Sequence, residues 1–568
     1  MNQTQAEQAF NSAIELQQQG KINEAGSLYA EILKSHRNHH HALHLLGVIA
    51  SQKGNHFYAR RLMESAAALD PEDADVLANL AHVLFYLGEY EKSLQHCDES
   101  LARQPGNPIC QMTRGKALRF LGRYEEAIAS LDVCTGLNPD LAEPYMHRGF
   151  CRHKLQQLEL AVQDYDHALR LRPDNAEALS NRGHALFALQ RHAEALESIE
   201  RALQIFPEYP EALYHLGLTK QHEKKFDEAL ACYSRAIKIN PNYHQALVRL
   251  AFVMHKLKML PQECLSILDR ALLVNPNDVD SLRARAGVLS GLKLLDQSLS
   301  DYDRAIALEP NEHKTHADRA ETLLIAKRNA EAALSFKRAL DLGGDQAELT
   351  YALASLGEDV IPVTAPANYV VNLFDWYADR FDDHLQVRLK YQTPALLCQQ
   401  IMRFEPGTGL NVLDLGCGTG LCGPLLKPIA SSMTGVDLSS NMLEMARKRG
   451  LYDDLVCSDL TSFISTQTQH YELVVATDVF IYVGALEAVF AATRRAMRAQ
   501  GLFAFSFETS ESEDLVLRPT RRYAHSVAYI HKLAAAHGFT VLMLEPSVIR
   551  EEGGENQDGY LAVLRLTE

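Results

Sequence analysis

Small and apolar residues recur through the first two-thirds of the chain on a fixed ruler. Gly115, Gly149, Gly183 and Gly217 share one slot, each 34 residues from the next. Ala127, Ala161, Ala195 and Ala229 share a second, and Ala168, Ala202, Ala236, Ala271, Ala305 and Ala339 a third. Tyr165, Tyr233, Tyr302 and Phe336 mark a slot for a large ring. Small residues let neighbouring helices approach, and the rings fill the space between them. Pro71, Pro105, Pro139, Pro173, Pro207, Pro241, Pro276 and Pro310 keep the same ruler, with one extra residue before Pro276. Proline cannot continue a helix interior, so each marks the end of one unit and the start of the next.

A 34-residue unit of two helices and two turns resembles the tetratricopeptide repeat. About ten repeats are expected between Ala6 and Gln346. The first has Arg37 in the proline slot and reads as a cap; the eighth carries an inserted residue around Pro261, and residues 346–357 read as a closing helix. The resemblance implies an all-α superhelix over residues 1–357 whose inner surface binds a protein or peptide. The slot in which the family places asparagine for peptide-tail or glycan recognition holds Asn79, Thr113, His147, Asn181, His215, Arg249, Ala284 and Asp318. Neither ligand pattern is sustained, so the ligand of the repeats is not legible.

Periodicity stops near Gly357. Residues 358–368, with Pro362 and Pro366, read as a short connector, and residues 369–568 as one further domain. Short apolar runs at 411–415, 433–438, 455–458, 473–477, 502–507, 540–544 and 560–566 predict strands. Helical patterns at 441–449 and 486–499 lie between the earlier ones. Such alternation predicts a mostly parallel sheet wound on both faces, with the last two strands pairing as an antiparallel hairpin.

After the first of these strands the chain reads Asp414-Leu-Gly416-Cys-Gly418-Thr-Gly420. Three glycines allow a sharp strand-to-helix turn and close backbone approach to a ligand. A dinucleotide fingerprint would place a small residue at 421, which is Leu421. Asp437 and Leu438 follow at the end of the second strand, Asp459 and Leu460 after the third, and Asp478 after the fourth. An acid about twenty residues beyond the glycines suits the two hydroxyls of a ribose. The set resembles motif I and its companions in the Rossmann-like class I S-adenosylmethionine-dependent methyltransferases. Together with the repeats and the lead-in at 369–394, it resembles bacterial methyltransferases that carry tetratricopeptide repeats.

That resemblance implies S-adenosyl-L-methionine as cofactor, bound by Asp414, Gly416, Gly418, Gly420, Asp437, Leu438, Asp459, Leu460 and Asp478. It also implies a lead-in that covers the cofactor, with an aromatic such as Tyr377 or Tyr391 against it. Methyl transfer needs orientation and exclusion of water more than a catalytic side chain. Where a base is needed, His525 is the candidate, since its ordinary pKa lies near neutrality. Arg521 and Arg522 are candidates for holding an acidic acceptor. The run from Arg550 to Gly559 reads as a polar hairpin turn that could border the substrate mouth. Two acceptor classes stay open: a protein recruited by the repeats, or a small molecule or glycan with the repeats serving assembly. A scaffold that no longer turns over is the third reading.

Composition narrows the partners. The 568 residues are 47% hydrophobic and 23% charged, with net charge −16, of which −7 falls from Ala365 onward. Both parts are acidic, so a nucleic-acid partner is not expected. No secretory signal or membrane segment is legible, and ten scattered cysteines fit a reduced, cytoplasmic setting. His36, His39, His40 and His41 cluster between the first two repeats. With no Cys or carboxylate at ligand spacing, they read as a solvated turn, and no metal is expected.

Overall fold

The computed structural model describes residues 1–375, 391–511, 513–552 and 555–567. The chain forms two compact units, Met1–Pro276 and Asn277–Glu568. In the first, sixteen helices run as eight hairpins from Gln3–Gln18 to Pro261–Val274. In the second, two further hairpins, Val279–Gly291 with Leu295–Leu308 and His313–Ile325 with Asn329–Asp341, precede a single helix, Gln346–Ser355. An α/β domain follows. The final two repeats thus belong to the same compact unit as that domain.

Each glycine of the first slot faces a large side chain sixteen residues on. A Cβ on Gly183 would lie 2.5 Å from Ile199, and one on Gly217 2.5 Å from the Tyr233 ring. No other side chain fits that helix crossing without overpacking. A second ruler, of charges, runs along the repeats. Arg114, Arg182 and Arg319 each donate to an aspartate sixteen residues back, Asp98, Asp166 and Asp303, at 2.6–2.7 Å. Each also donates to a serine sixteen residues ahead, Ser130, Ser198 and Ser335, at 2.6–2.8 Å. Arg148 uses Asp132 and the buried Asp164 in the same way.

The sheet of the α/β domain has seven strands: β1 (Leu410–Leu415), β2 (Ala430–Asp437), β3 (Asp454–Cys457), β4 (Tyr471–Ala476), β5 (Met497–Glu508), β8 (Phe539–Glu552) and β9 (Glu555–Leu566). Their order is β3-β2-β1-β4-β5-β9-β8. The first five are parallel; β9 runs antiparallel to both β5 and β8. A small hairpin of β6 (Leu515–Leu517) and β7 (Tyr523–His525) stands apart from the sheet. Val412, Leu413 and Leu415 of β1 are fully buried, as a central parallel strand covered on both faces requires. Strand order reverses between β1 and β4, which opens a crevice at their C-terminal ends.

Three features depart from the sequence reading. The helical pattern at 486–499 ends at Ala496, and β5 starts at Met497. The polar run after Arg550 is not all turn: pairing continues to Glu551↔Asn556 and Glu552↔Glu555. The segment Arg521 to Ser526 holds strand β7, which the predicted strands did not include. Among the described residues no helix is long and apolar enough to cross a membrane.

Candidate active site

The crevice at the switch between β1 and β4 holds a cavity of about 520 Å³. Its floor is the turn after β1. Gly416 and Gly418 have φ of +66° and +52°, the left-handed region that a side chain strains. A Cβ on Gly416 would sit 2.2 Å from Val479, so the turn also has no room for one. The Gly418 N–H donates to Oδ2 of Asp437 at 3.0 Å, and the Ser439 N–H to Oδ1 at 2.9 Å. Burial pushes the Asp437 carboxyl up, and these backbone N–H groups oppose the shift. An ionised carboxylate accepts about four hydrogen bonds, so these donors, with the Leu438 N–H, leave capacity for a ligand hydroxyl.

Leu438, Met442, Asp459 and Leu460 line the cavity beside Asp437. Asp459 also caps the helix Leu460–Ser465, accepting from the Ser462 N–H at 2.8 Å. Tyr391, Thr477, Asp478, Arg522 and Arg550 line the cavity too, along with apolar residues of segment 479–483. Tyr391 is hydrogen-bonded to Thr477, and burial raises its phenol. Tyr377, named from the sequence as an alternative cover, lies outside the described residues.

Asp414 and Gly420 stand below the cavity rather than in its wall. Asp414 is fully buried, and its Oδ2 accepts from the Tyr452 hydroxyl at 2.7 Å. Its Oδ1 meets no hydrogen-bond partner. Desolvation raises the carboxyl to about 7, so near neutral pH it is partly protonated. A Cβ on Gly420 would meet the Tyr452 ring at 2.9 Å. Asp414, Gly420 and Tyr452 therefore form the packed layer that holds the turn in place.

Asp478 is more constrained than its motif position implies. Its backbone is left-handed, φ +56°, a conformation that costs a non-glycine residue about 1 kcal/mol or more. Its N–H donates to Ser506 Oγ at 2.8 Å. Both carboxylate oxygens accept from Arg550 Nη1, at 2.8 and 2.9 Å. Arg550 is 3% exposed and also pairs with Glu508, which is 1% exposed. Arg518 donates to the other oxygen of Glu508 at 2.6 Å. A buried acid, Glu508, a half-buried one, Asp478, and two guanidiniums thus form a chain beside the cavity, and Asp478 is spent as an anchor for Arg550. The sequence reading missed Glu508 and the role of Arg550. The available signal was a charge ending an apolar strand, Phe503 to Glu508, in line with a second charge ending another.

His525 does not line the cavity. It is fully buried on β7, stacked on Tyr529, and its Nε2 lies 2.7 Å from the Gly484 carbonyl oxygen. Burial lowers its pKa to about 4, so the ring is neutral near pH 7 and Nε2 carries the proton it donates. This geometry gives a structural hydrogen bond and leaves the ring outside the cavity lining, where the sequence led one to expect a base. Of the two arginines paired with it in the sequence, Arg522 lines the cavity. Arg521 points elsewhere: it is ion-paired with Glu321 and lies over the rings of Phe336 and Tyr369.

The connector is a wall of the site. Val363 O accepts from the N–H groups of Gly484 and Ala485, at 2.9 and 3.0 Å. The Ala365 N–H and Thr364 hydroxyl both donate to Tyr482 O, and Pro362 O accepts from the Tyr523 hydroxyl. The helix Ala367–Asp375 continues the cover, placing Val370, Leu373 and Phe374 on the cavity. Asp375 is fixed to the far rim, where its Oδ1 accepts from Ser439 Oγ at 2.5 Å.

The glycine turn, the acid ending β2 and the crevice at the strand switch belong to an α/β domain of Rossmann-like, methyltransferase-type fold that follows a helical-repeat array. Comparison with known proteins names both parts. A family model described as a methyltransferase domain matches residues 412–501. Tetratricopeptide-repeat models match residues 58–108, 110–141, 151–190, 176–209 and 210–243. A probable S-adenosylmethionine-dependent methyltransferase, CRG1 of Saccharomyces cerevisiae, is 30% identical over 123 residues, 20% of this chain and 41% of that protein. The malonyl-[acyl-carrier protein] O-methyltransferase of Priestia megaterium is 32% identical over 137 residues, 23% of this chain and 46% of that protein. The chain thus spans less than half the length of each of these curated relatives. A chain of the solved APC/C hetero-tetramer Cut9–Hcn1 is 15% identical and covers 56% of this chain and 76% of that one, at a TM-score of 0.41. The protein carries tetratricopeptide repeats followed by a methyltransferase domain.

Proposed function

We propose that the α/β domain binds S-adenosyl-L-methionine in this cavity and transfers its methyl group to an acceptor brought by the repeats. The observation that carries the reading is the Asp437 carboxylate. It is fixed by the Gly418 and Ser439 N–H groups at the cavity wall, where two hydroxyls of a ribose find their acceptor. The other residues fit the same group. Leu438, Met442 and Leu460 offer apolar faces for a base, and Asp459 an acceptor for its amino group. The side-chain-free turn at Gly416 and Gly418 leaves room for close approach. When bound, the cofactor supplies an electrophilic methyl on a sulfonium.

The chain's own contribution is orientation and a dry site. Tyr391 and the Arg550-anchored Asp478 stand with Thr477 on one side of the cavity, while the connector and the helix Ala367–Asp375 exclude water. No histidine lines the cavity among the described residues, and Asp478 is held by Arg550. An acceptor that is nucleophilic without deprotonation suits such a site best.

We assign the recruiting role to the repeats, as their concave surfaces serve in such arrays, and the acceptor to the recruited protein. The named relatives give a second reading: one acts on a malonyl-[acyl-carrier protein] and others act in ubiquinone biosynthesis, so a small or carrier-bound acceptor is the alternative. Ten free thiols, nine of them buried, support a reduced cytoplasmic setting for either. Cell extract incubated with the chain and methyl-labelled cofactor separates the two. Label in a protein band is expected; label confined to the low-mass fraction would favour the second reading.

A further inference from the structure

We propose that His40, His41 and Asp73 form a site for a divalent transition-metal ion that ties the second repeat to the third. His40 and His41 open the helix His40–Gln52, and Asp73 is the N-cap of Ala74–Tyr86. The carboxylate that the histidine cluster lacks in sequence thus arrives from the next repeat. One donor atom from each of the three residues lies within 4.8 Å of the other two.

The four histidines of the cluster divide by what their nitrogens do. His39 accepts the Ala42 N–H at Nδ1 as a helix cap, and His36 Nδ1 lies 3.0 Å from the Ser35 hydroxyl. Those two have local structural partners. His40 Nε2 is buried and makes no hydrogen bond; its neighbour is Oδ2 of Asp73 at 3.6 Å. His40 Nδ1 lies 3.3 Å from His41 Nδ1. Asp73 divides its labour: Oδ1 accepts from the N–H groups of Asp75 and Val76, at 3.0 and 3.1 Å, while Oδ2 turns to His40.

A gap of 3.6 Å is too long for a hydrogen bond. Nitrogen and oxygen ligands each about 2.0–2.2 Å from a tetrahedral ion stand about 3.3–3.6 Å apart, which includes what is seen. A small rotation of His41 brings a third ligand, and water completes the shell. Two imidazoles and one carboxylate select zinc, cobalt, nickel or copper over calcium or magnesium. The ion would fasten the starts of two adjacent first helices. Simple protonation of His40 toward Asp73 is the competing account, and it needs no ion.

The test uses the full chain, titrated with Zn²⁺ by calorimetry and with Co²⁺ by visible absorption. Asp73→Asn is the informative variant, because asparagine caps a helix as well as aspartate does while losing the anionic ligand. Its melting temperature without metal should match the native chain. His41→Ala is the second variant. Each substitution is expected to weaken one binding step by about tenfold or more. Zn²⁺ should raise the melting temperature of the native chain and not of either variant. Equal stoichiometry and affinity in all three proteins, or no binding of either ion by the native chain, would overturn the assignment.

Discussion

Glu321, on the helix His313–Ile325 of the tenth repeat, is ion-paired with Arg521 of the α/β domain. Arg521 is 7% exposed and left-handed, φ +58°, and its carbonyl accepts from the Tyr351 hydroxyl at 2.6 Å. Its neighbours in the chain reach the cavity: Arg522 lines it, and Tyr523 holds Pro362 of the wall. The last repeat and the candidate cavity are therefore one packed structure. Glu321→Gln is expected to cost about 1 kcal/mol, a value discounted because Glu321 is half-exposed. Urea denaturation measures it. Arg521→Met, which also loses the guanidinium contacts with the Phe336 and Tyr369 rings and leaves Glu321 unpaired, should cost more than Glu321→Gln.

Asp414 gives a pH dependence whose sign follows from burial. Its carboxyl titrates at about 7 in the folded chain, against an ordinary 3.8. The folded state thus holds the proton where the unfolded state releases it. This group's stability contribution is whole below the ordinary value and is lost as pH rises to about 7, by about 4 kcal/mol at most. Asp414→Asn removes the titration and keeps the shape. Its melting temperature should change less than that of the native chain between pH 5 and 8; parallel profiles would contradict the account.

His525 carries the opposite slope. Its pKa is lowered to about 4 from 6.5, so stability from this residue is present above 6.5 and lost as pH falls toward 4. His525→Phe leaves the buried Gly484 carbonyl without its donor, at a cost of about 1–3 kcal/mol. His525→Gln, which retains a donor, should recover part of that and leave cofactor affinity near native. Loss of transfer activity in His525→Gln with stability intact would restore the residue to the chemistry.

The turn inside each repeat hairpin offers a stability test. One position has positive φ in all ten: Gly20, Gly54, Gly88 and Gly122 in the first four, then Gln156, Gln190, Lys224, Lys258, Lys293 and Lys327. Glycine relieves strain there, so Lys224→Gly and Lys258→Gly should each stabilise the array by about 0.5–1 kcal/mol. Thermal denaturation of the pair, against Lys224→Ala as control, checks it.

The architecture was legible because repetition and periodicity are local. Glycine at 183 must meet Ile199, and glycine at 217 Tyr233, wherever the ruler is kept. The glycine turn after β1 was legible because its backbone demands glycine at 416 and 418. What stayed hidden depends on contacts between distant segments. Residues 362–365 look like a plain connector until Tyr482 and Gly484 supply their partners. Arg550 looks like the start of a polar turn until Asp478 and Glu508, 72 and 42 residues away, claim it. A histidine's ordinary pKa suggests a base, whereas the burial of His525 on β7 is a property of the fold.

Calorimetric titration of the full chain with S-adenosyl-L-methionine tests the central claim most directly. One site per chain is expected, and Asp437→Asn should weaken it by at least about tenfold, the loss of one charged hydrogen-bonding partner. Absence of binding by the native chain, or unchanged affinity in Asp437→Asn, would contradict the assignment of the cavity.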